Sequence, residues 1–287
     1  MLYVVATPIG NLGDMSPRAV ETLKSVDAIA AEDTRVTRKL LTYFGIQTPL
    51  ISCHEHNEHN RSQELVQRML AGQHIALVTD AGTPAISDPG AKLVRAAAEA
   101  GIEVVAVPGP SAFAAALSVS GCENKEFTFF GFLPRNQKEL KEKLAAMAGH
   151  VQTAVIYESP HRVLALLTAV GEMFPGILVS ASCELTKKFE RTLRGTVEEV
   201  QGAIAASPSG EKGEYCLVFD LSQVPTPPAQ PTVNASLEAQ LLDLQLSGLD
   251  ARAASQTLME RGESRNEVYR AALRLRQWAG NVPSNSE

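Results

Sequence analysis

The sequence predicts an α/β protein: two α/β domains followed by a small helical domain. Three observations carry this. Across residues 2–111, short apolar runs alternate with amphipathic ones, the rhythm of a mostly parallel sheet covered on both faces. Across 120–221, five apolar runs stand closer together with fewer helices between them, which predicts a mixed or antiparallel sheet. A Pro-rich stretch then separates these from three short helical patterns. The expected division is 1–119 for an N-terminal α/β domain, 120–221 for a second with a mixed sheet, 222–236 for a linker and 237–287 for a helical tail.

The elements follow in order. "LYVVA" reads as a buried strand, and "SPRAVETLKSV" as a helix with Ser16 as cap and Pro17 in the first turn, where a missing N–H costs nothing. "DAIAA" is a strand, "TRKLLTYFG" a helix stopped by Gly45, "PLISC" a strand, and "RSQELVQRMLAG" a helix apolar at Leu65, Met69 and Leu70. "HIALVT", "AKLVRAAAEAG" and "EVVAV" complete the alternation. In the second domain the strands are "FTFFGF", "TAVIYES", "ILVSAS", "ERTLRG" and "EYCLVFDL", with helices at "SPHRVLALLTAV" and "TVEEVQGAIA". Thr196 and Glu199 form a capping box at the second of these. "SQVPTPPAQPTVNAS" is a structureless linker. "SLEAQLLDLQLSG" and "DARAASQTLMERG" each end at glycine, and "SRNEVYRAALRLRQW" opens on a Ser264/Glu267 capping box. Together they resemble a helix-turn-helix.

Composition bounds the function. At 287 residues, 45% hydrophobic and 20% charged, the chain can bury real cores. A net charge of −6 excludes wholesale coating of nucleic acid but leaves room for a local basic patch. Four scattered cysteines without a CxxC spacing predict free thiols in a reducing compartment. "MLYVVATPIGN" has no basic leader before its apolar run, and no run approaches a membrane span. A cytoplasmic protein with no membrane association is expected.

Nearly every polar cluster follows a strand: "TPIGN", "EDTR", "HEHNE", "DAGTP" and "PGPSA" after the first five in turn. In a parallel sheet these loops open on one edge, where ligands bind. The patterns GxxxxGK[ST] and GxGxxG are absent, and "LVTDAGTPAISDPG" carries Asp80 and Asp88 where a phosphate site needs bare N–H groups and cations. A cationic or amino-bearing ligand is expected there.

The motifs "TPIGNLGDMSPRAVETL", "AEDTR", "HEHNE", "DAGTPAISDPG", "VPGPSA", "YESPHR" and "ELTKKFE", in that order, resemble the ribosomal RNA small-subunit (cytidine-2′-O)-methyltransferase I family. That family lies within the tetrapyrrole methylase-like superfamily of class III methyltransferases. The match spans about residues 2–221, and the helical tail also resembles the family's C-terminal domain. The resemblance implies two α/β domains with S-adenosylmethionine (AdoMet) in the cleft between them. It also implies methyl transfer to a cytidine ribose 2′-hydroxyl in the decoding region of small-subunit ribosomal RNA, and a homodimer. By the same matching, the donor would be lined by Pro8, Gly82, Thr83, Ile86, Ser111, Ala112, Tyr157, Leu185 and the backbone around Glu214. Asp80 either contacts the donor or caps its own turn. Where superfamily members that methylate tetrapyrroles carry Gly-Asp-Pro, this chain has "DAGTP".

For catalysis, two acid–base pairs stand out: Glu184 with Lys187, and Asp33 with Arg35. A base, or a cation that lowers the hydroxyl's pKa, would help a 2′-hydroxyl attack. Lys188, Arg191 and Arg35 could hold phosphates. His54 and His56 of "HEHNEH" are expected to hydrogen-bond substrate. HExxH fails there because position 58 is Glu, and no metal is expected. The tail holds six arginines, including Arg265 and Arg270, against three glutamates within 252–276. That is a local excess of three positive charges suited to RNA phosphates. The partner expected is small-subunit ribosomal RNA or the assembled small ribosomal subunit. The alternatives are a small-molecule tetrapyrrole methylase and a non-catalytic AdoMet- or RNA-binding protein.

Overall fold

In the computed structural model, residues 1–123, 125–207, 213–225 and 236–280 are described. The first sheet contains β1 (Leu2–Val5), β2 (Ala28–Ala31), β3 (Leu50–Ser52), β4 (Ile75–Val78) and β5 (Val104–Val107). The connecting helices are α1 (Pro17–Ser25), α2 (Thr34–Tyr43), α3 (Glu58–Leu70) and α4 (Ala91–Glu99). All strands are parallel, in the order β3-β2-β4-β1-β5. Strand side chains alternate between faces, and the cores divide accordingly. Val5, Ile29, Ala31, Ala76 and Val78 join one cluster with α1 and α2, whereas Leu2, Ala30, Ile75 and Leu77 join another with α3 and α4. Strands buried on both faces leave room for no polar residue, so the chemistry moves to the strand ends.

Helix α5 (Ala112–Ser120) leaves β5 and packs on the second sheet. That sheet contains β6 (Thr128–Phe132), β7 (Thr153–Glu158), β8 (Leu178–Cys183), β9 (Arg191–Thr196) and β10 (Tyr215–Asp220). Its order is β6-β7-β10-β8-β9; only β6 and β7 run parallel, as a mixed sheet was expected to mingle directions. Helices α6 (Gln137–Met147), α7 (Val163–Met173) and α8 (Val197–Ala206) belong to this part of the chain. Ala154, Ile156, Leu217 and Phe219 pack with them on one face, while Val155, Cys216 and Val218 meet α5 on the other. Thr196 and Glu199 make the expected capping box at α8, and Ser16 caps α1 with Pro17 at its start. Helix α6 had no counterpart in the sequence reading; Asn136 caps it and Leu140, Leu144 and Met147 anchor it.

The chain divides into two compact units, Met1–Pro225 and Thr226–Glu287. In the second, α9 (Leu237–Leu246), α10 (Ala251–Glu260) and α11 (Arg265–Gly280) close around Leu241, Ala254, Leu258, Val268 and Ala271. Most of the expected linker, 226–235, and the last residues of the expected tail, 281–287, lie outside the described residues.

Gly90 precedes α4 at φ +131°, a backbone that L side chains rarely adopt, and a Cβ there would sit 2.7 Å from Cδ2 of buried Leu77. Gly90→Ala therefore combines strain with overpacking. A loss of about 2–4 kcal/mol in unfolding free energy is expected from urea denaturation.

Candidate functional site

The loops after β1, β2, β4 and β5 open on one edge of the first sheet and face the second across a cavity of about 490 Å³. The first sheet supplies Ile9, Glu32, the stretch from Asp80 to Thr83, Ile86 to Asp88, and Ser111 with Ala112. The second supplies Phe132, Tyr157 to Pro160, Glu184, Leu185, Lys187 and Glu214 to Cys216.

The loop from Asp80 to Gly90 is held in a conformation the chain would not adopt unaided. Gly82, Ala85, Ser87 and Gly90 all have positive φ. Four anchors fix it. Gly82 exchanges two backbone hydrogen bonds with Thr7 (2.9 and 3.0 Å). The Thr83 hydroxyl donates to the Pro110 carbonyl at 3.2 Å. Asp80 Oδ1 accepts the Asp33 N–H at 3.0 Å. Finally Glu58, 4% exposed, accepts the N–H groups of Gly90 and Lys92 through Oε1, both at 2.9 Å. A carboxylate at a helix N-terminus meets unpaired donors and the positive end of the helix dipole.

Glu58 gives the "HEHNEH" motif a structural explanation. Asn57 accepts the His54 N–H and donates to Ser52 O, folding the turn. Glu58 then begins α3 and reaches the Asp80–Gly90 loop. His54 and His56 stand with ring centroids 6.0 Å apart, outside the cavity lining. His54 Nδ1 is buried without a hydrogen-bond partner. Among the described residues, no group of three or more His, Cys, Asp or Glu is placed to hold a metal ion.

The cavity's electrostatics are one-sided. Six carboxylates line it (Glu32, Asp80, Asp88, Glu158, Glu184, Glu214) and Lys187 is the one lining cation among the described residues. A polyphosphate would be repelled, whereas a sulfonium bearing an α-ammonium is attracted. Phe132, Tyr157, Leu185 and Cys216 provide apolar wall for a purine. The residues present therefore fit the expected AdoMet. Burial raises the Asp80 carboxyl above its ordinary value and, helped by Glu32, pushes Asp88 up to about 6. Burial also pushes the Cys216 thiol up to about 12, so it is inert wall. The Tyr157 hydroxyl accepts the Phe113 N–H at 3.0 Å, tying β7 to the start of α5.

Of the residues expected at the donor, Asp80, Gly82, Thr83, Ile86, Ser111, Ala112, Tyr157, Leu185 and Glu214 line the cavity; Pro8 does not, and its neighbour Ile9 does. Glu184 and Lys187 also line it, joined at 2.8 Å, with Glu214 3.7 Å from the same ammonium. Glu184 and Thr186 have positive φ. Gly10, from the loop after β1, makes room for this turn, since a Cβ there would fall 2.5 Å from Lys187 Cγ. Burial pulls the Lys187 pKa down, but the Glu184 hydrogen bond and nearby Glu214 outweigh it and the net shift is upward. Lys187 is thus an ammonium at neutral pH.

Asp33 and Arg35 lie outside the lining. Asp33 caps α2, and its carboxyl is held well below the usual carboxylate range by Arg35 at 2.6 Å. Arg35 itself is 88% exposed. Lys188 is exposed above the Phe189 ring, 5.6 Å from its centroid. Arg191 turns instead toward Ser207 and Tyr215. In the second unit Arg265 and Arg270 are exposed, as are Arg252, Arg261 and Arg276. Glu32 and Phe132 were not singled out from sequence as site residues, and Asp88 was noted only as a carboxylate of the loop expected to meet a cationic ligand; Glu32 carried the available signal, being an acid on a strand-end loop of the same sheet edge.

Glu58 makes two charge-assisted hydrogen bonds, each contributing about 1.5–3 kcal/mol. Glu58→Ala should therefore lower unfolding free energy by about 3 kcal/mol in urea titrations. Lys92→Ala, which removes a 60% exposed ammonium 3.7 Å away, should cost no more than about 1 kcal/mol.

Comparison with known proteins agrees with this geometry. Residues 1–201 match the family model described as Tetrapyrrole (Corrin/Porphyrin) Methylases. A protein named "Ribosomal RNA small subunit methyltransferase I" from Synechocystis sp. is 48% identical over 280 residues, covering 96% of this chain and 98% of its own. One of the same name from Bacillus subtilis is 47% identical, covering 77% and 75%. A cobalt precorrin-4 methyltransferase structure superposes with a TM-score of 0.57 at 16% identity, covering 78% and 96%, which speaks for the fold alone. The chain belongs to the tetrapyrrole methylase family and, within it, to the ribosomal RNA small subunit methyltransferase I family.

Proposed function

We propose that the chain is an AdoMet-dependent methyltransferase that methylates the ribose 2′-hydroxyl of a cytidine in the decoding region of small-subunit ribosomal RNA. The observation that carries this is the acidic cavity between the two sheets, taken with near full-length similarity to relatives named for small-subunit ribosomal RNA. When bound, AdoMet supplies a methyl group on a sulfonium. The chain's residues bind and orient. Asp80 and its neighbours would face the donor's positive charge, Gly82, Thr83, Ser111 and Ala112 would shape its edge, and Tyr157 and Leu185 would flank its base; all line the cavity. Alignment of the ribose oxygen with the methyl can supply about 7–11 kcal/mol of the barrier.

Lys187 remains protonated and so acts as a cation. It stabilises charge developing on the 2′-oxygen or holds the adjacent phosphate, and Glu184 orients it. Arg35 and Lys188, both exposed, are suited to phosphates flanking the target. In the second unit, Arg265 and Arg270 supply further phosphate contacts. The assembled small subunit is the expected substrate. The family resemblance supports reading the chain as a cytoplasmic homodimer; no helix among the described residues is long and apolar enough to cross a membrane.

Purified protein, AdoMet labelled in the methyl group and unmodified small subunits should yield label on a cytidine ribose by nuclease digestion and mass spectrometry. Label on a tetrapyrrole instead, or tight donor binding with unlabelled RNA, would contradict the assignment. Lys187→Ala and Glu184→Ala should each lower turnover by roughly 10²-fold while leaving calorimetric donor affinity within about threefold.

A further inference from the structure

If Lys187 is an ammonium, the proton leaving the 2′-hydroxyl needs another acceptor, and the cavity offers six carboxylates. Five are engaged by N–H groups or cations. Glu158, 1% exposed, accepts the Ser159 N–H and faces the Arg162 guanidinium at 3.2 Å. Glu184 holds Lys187 and accepts the Glu214 N–H. Glu214 lies 3.7 Å from the Lys187 ammonium, with its side chain 87% exposed. Glu32 accepts the Thr79 hydroxyl at 2.7 Å and the Asp80 N–H at 3.4 Å. Asp80 accepts the Asp33 N–H. Asp88 is different: among the described residues no N–H group or cation is paired with it, and the Thr79 hydroxyl beside it is directed to Glu32.

Its position is specified as well. Asp88 is half-buried at the cavity wall, between Ser87 in the left-handed region and the Gly90 turn that Glu58 holds. A half-buried carboxylate with no cation beside it costs stability, and the loop around it is strained, which is how functional sites store free energy.

We propose that Asp88 is the proton acceptor for the methyl transfer, with Thr79 bridging it to Glu32 and Glu58 acting as a positioning residue through the Gly90 turn. The ribose oxygen bonds to the methyl carbon as the carbon–sulfur bond breaks. The electron pair of that bond stays on sulfur, leaving a neutral thioether. The hydroxyl proton passes to Asp88 and then to solvent. The groups facing Asp88 are the carboxylates of Glu32 and Asp80, which favour proton uptake, the Thr79 hydroxyl, which opposes it, and the phenol of Tyr157, which stays neutral. An apparent pKa of about 6 suits a base working near neutrality.

The proposal rests on the methyltransferase reading, and the test separates the two. Wild type, Asp88→Asn and Asp88→Glu are assayed on small subunits from pH 5 to 9, and calorimetry with S-adenosylhomocysteine measures binding to each. Wild-type turnover should rise with pH through about 6, where Asp88 ionises, and then level. Asp88→Asn should lose roughly 10²–10⁴-fold in turnover and the rise with pH, with product affinity within about threefold of wild type. Asp88→Glu should keep the rise at reduced turnover. Turnover within about threefold of wild type in Asp88→Asn, or a loss confined to product binding, would overturn the role of Asp88 while leaving the methyltransferase reading intact. Wild-type protein that transfers no methyl to RNA would overturn both.

Discussion

The site depends on one constraint: an acidic loop from Asp80 to Gly90 held against its own preferences. Four of its residues have positive φ, two of them alanine and serine, each at a cost of order 1–3 kcal/mol. The carboxylates of Asp80 and Asp88 are also partly desolvated. Such a loop persists only if its surroundings over-determine it. The paired backbone hydrogen bonds to Thr7, the Thr83–Pro110 contact and the buried Glu58 at the start of α4 do so. A β1 loop, a β5 loop and an α3 side chain therefore serve a β4 loop, and the first sheet acts as a jig for one segment.

Charge divides the labour between cavity and surface. Six acids around Lys187 favour a cationic donor and disfavour phosphate, so a ribose can be presented there only if its phosphates, beyond one that Lys187 could hold, are bound elsewhere. On the proposed reading, the exposed arginines of α10 and α11 and the exposed Arg35 and Lys188 would provide such charges. A chain of net charge −6 can thus carry both a cation-selecting pocket and local anion-binding patches. RNA affinity on this account falls steeply with salt, whereas donor affinity, set inside a partly closed cavity, changes far less.

Much of this was legible in the sequence. Alternation of apolar and amphipathic runs reports burial on both faces, so the first sheet and its strand-end loops could be placed. The motif "DAGTPAISDPG" announced its backbone through Gly and Pro. What could not be read were partnerships across distance. Glu58 looked like one acid among a polar cluster because its partners, Gly90 and Lys92, lie 32 and 34 residues away. Asp88 was visible as an acid, but its lack of a cation is a property of the fold. Helix α6 was missed because "NQKELKEKLAAM" is mostly polar, and only Leu140, Leu144 and Met147 are buried. The pair of Asp33 and Arg35 was legible as a pair, yet its side chains close on each other beside the cavity.

Backbone amide hydrogen exchange, with and without S-adenosylhomocysteine, tests the central claim that one acidic cleft between the two sheets takes the donor. Slowed exchange is expected on both sides of the cleft, in residues 80–90 of the first sheet's loop and in 183–187 and 214–216 of the second. Protection confined to one sheet, or to the helices beyond 236, would contradict it.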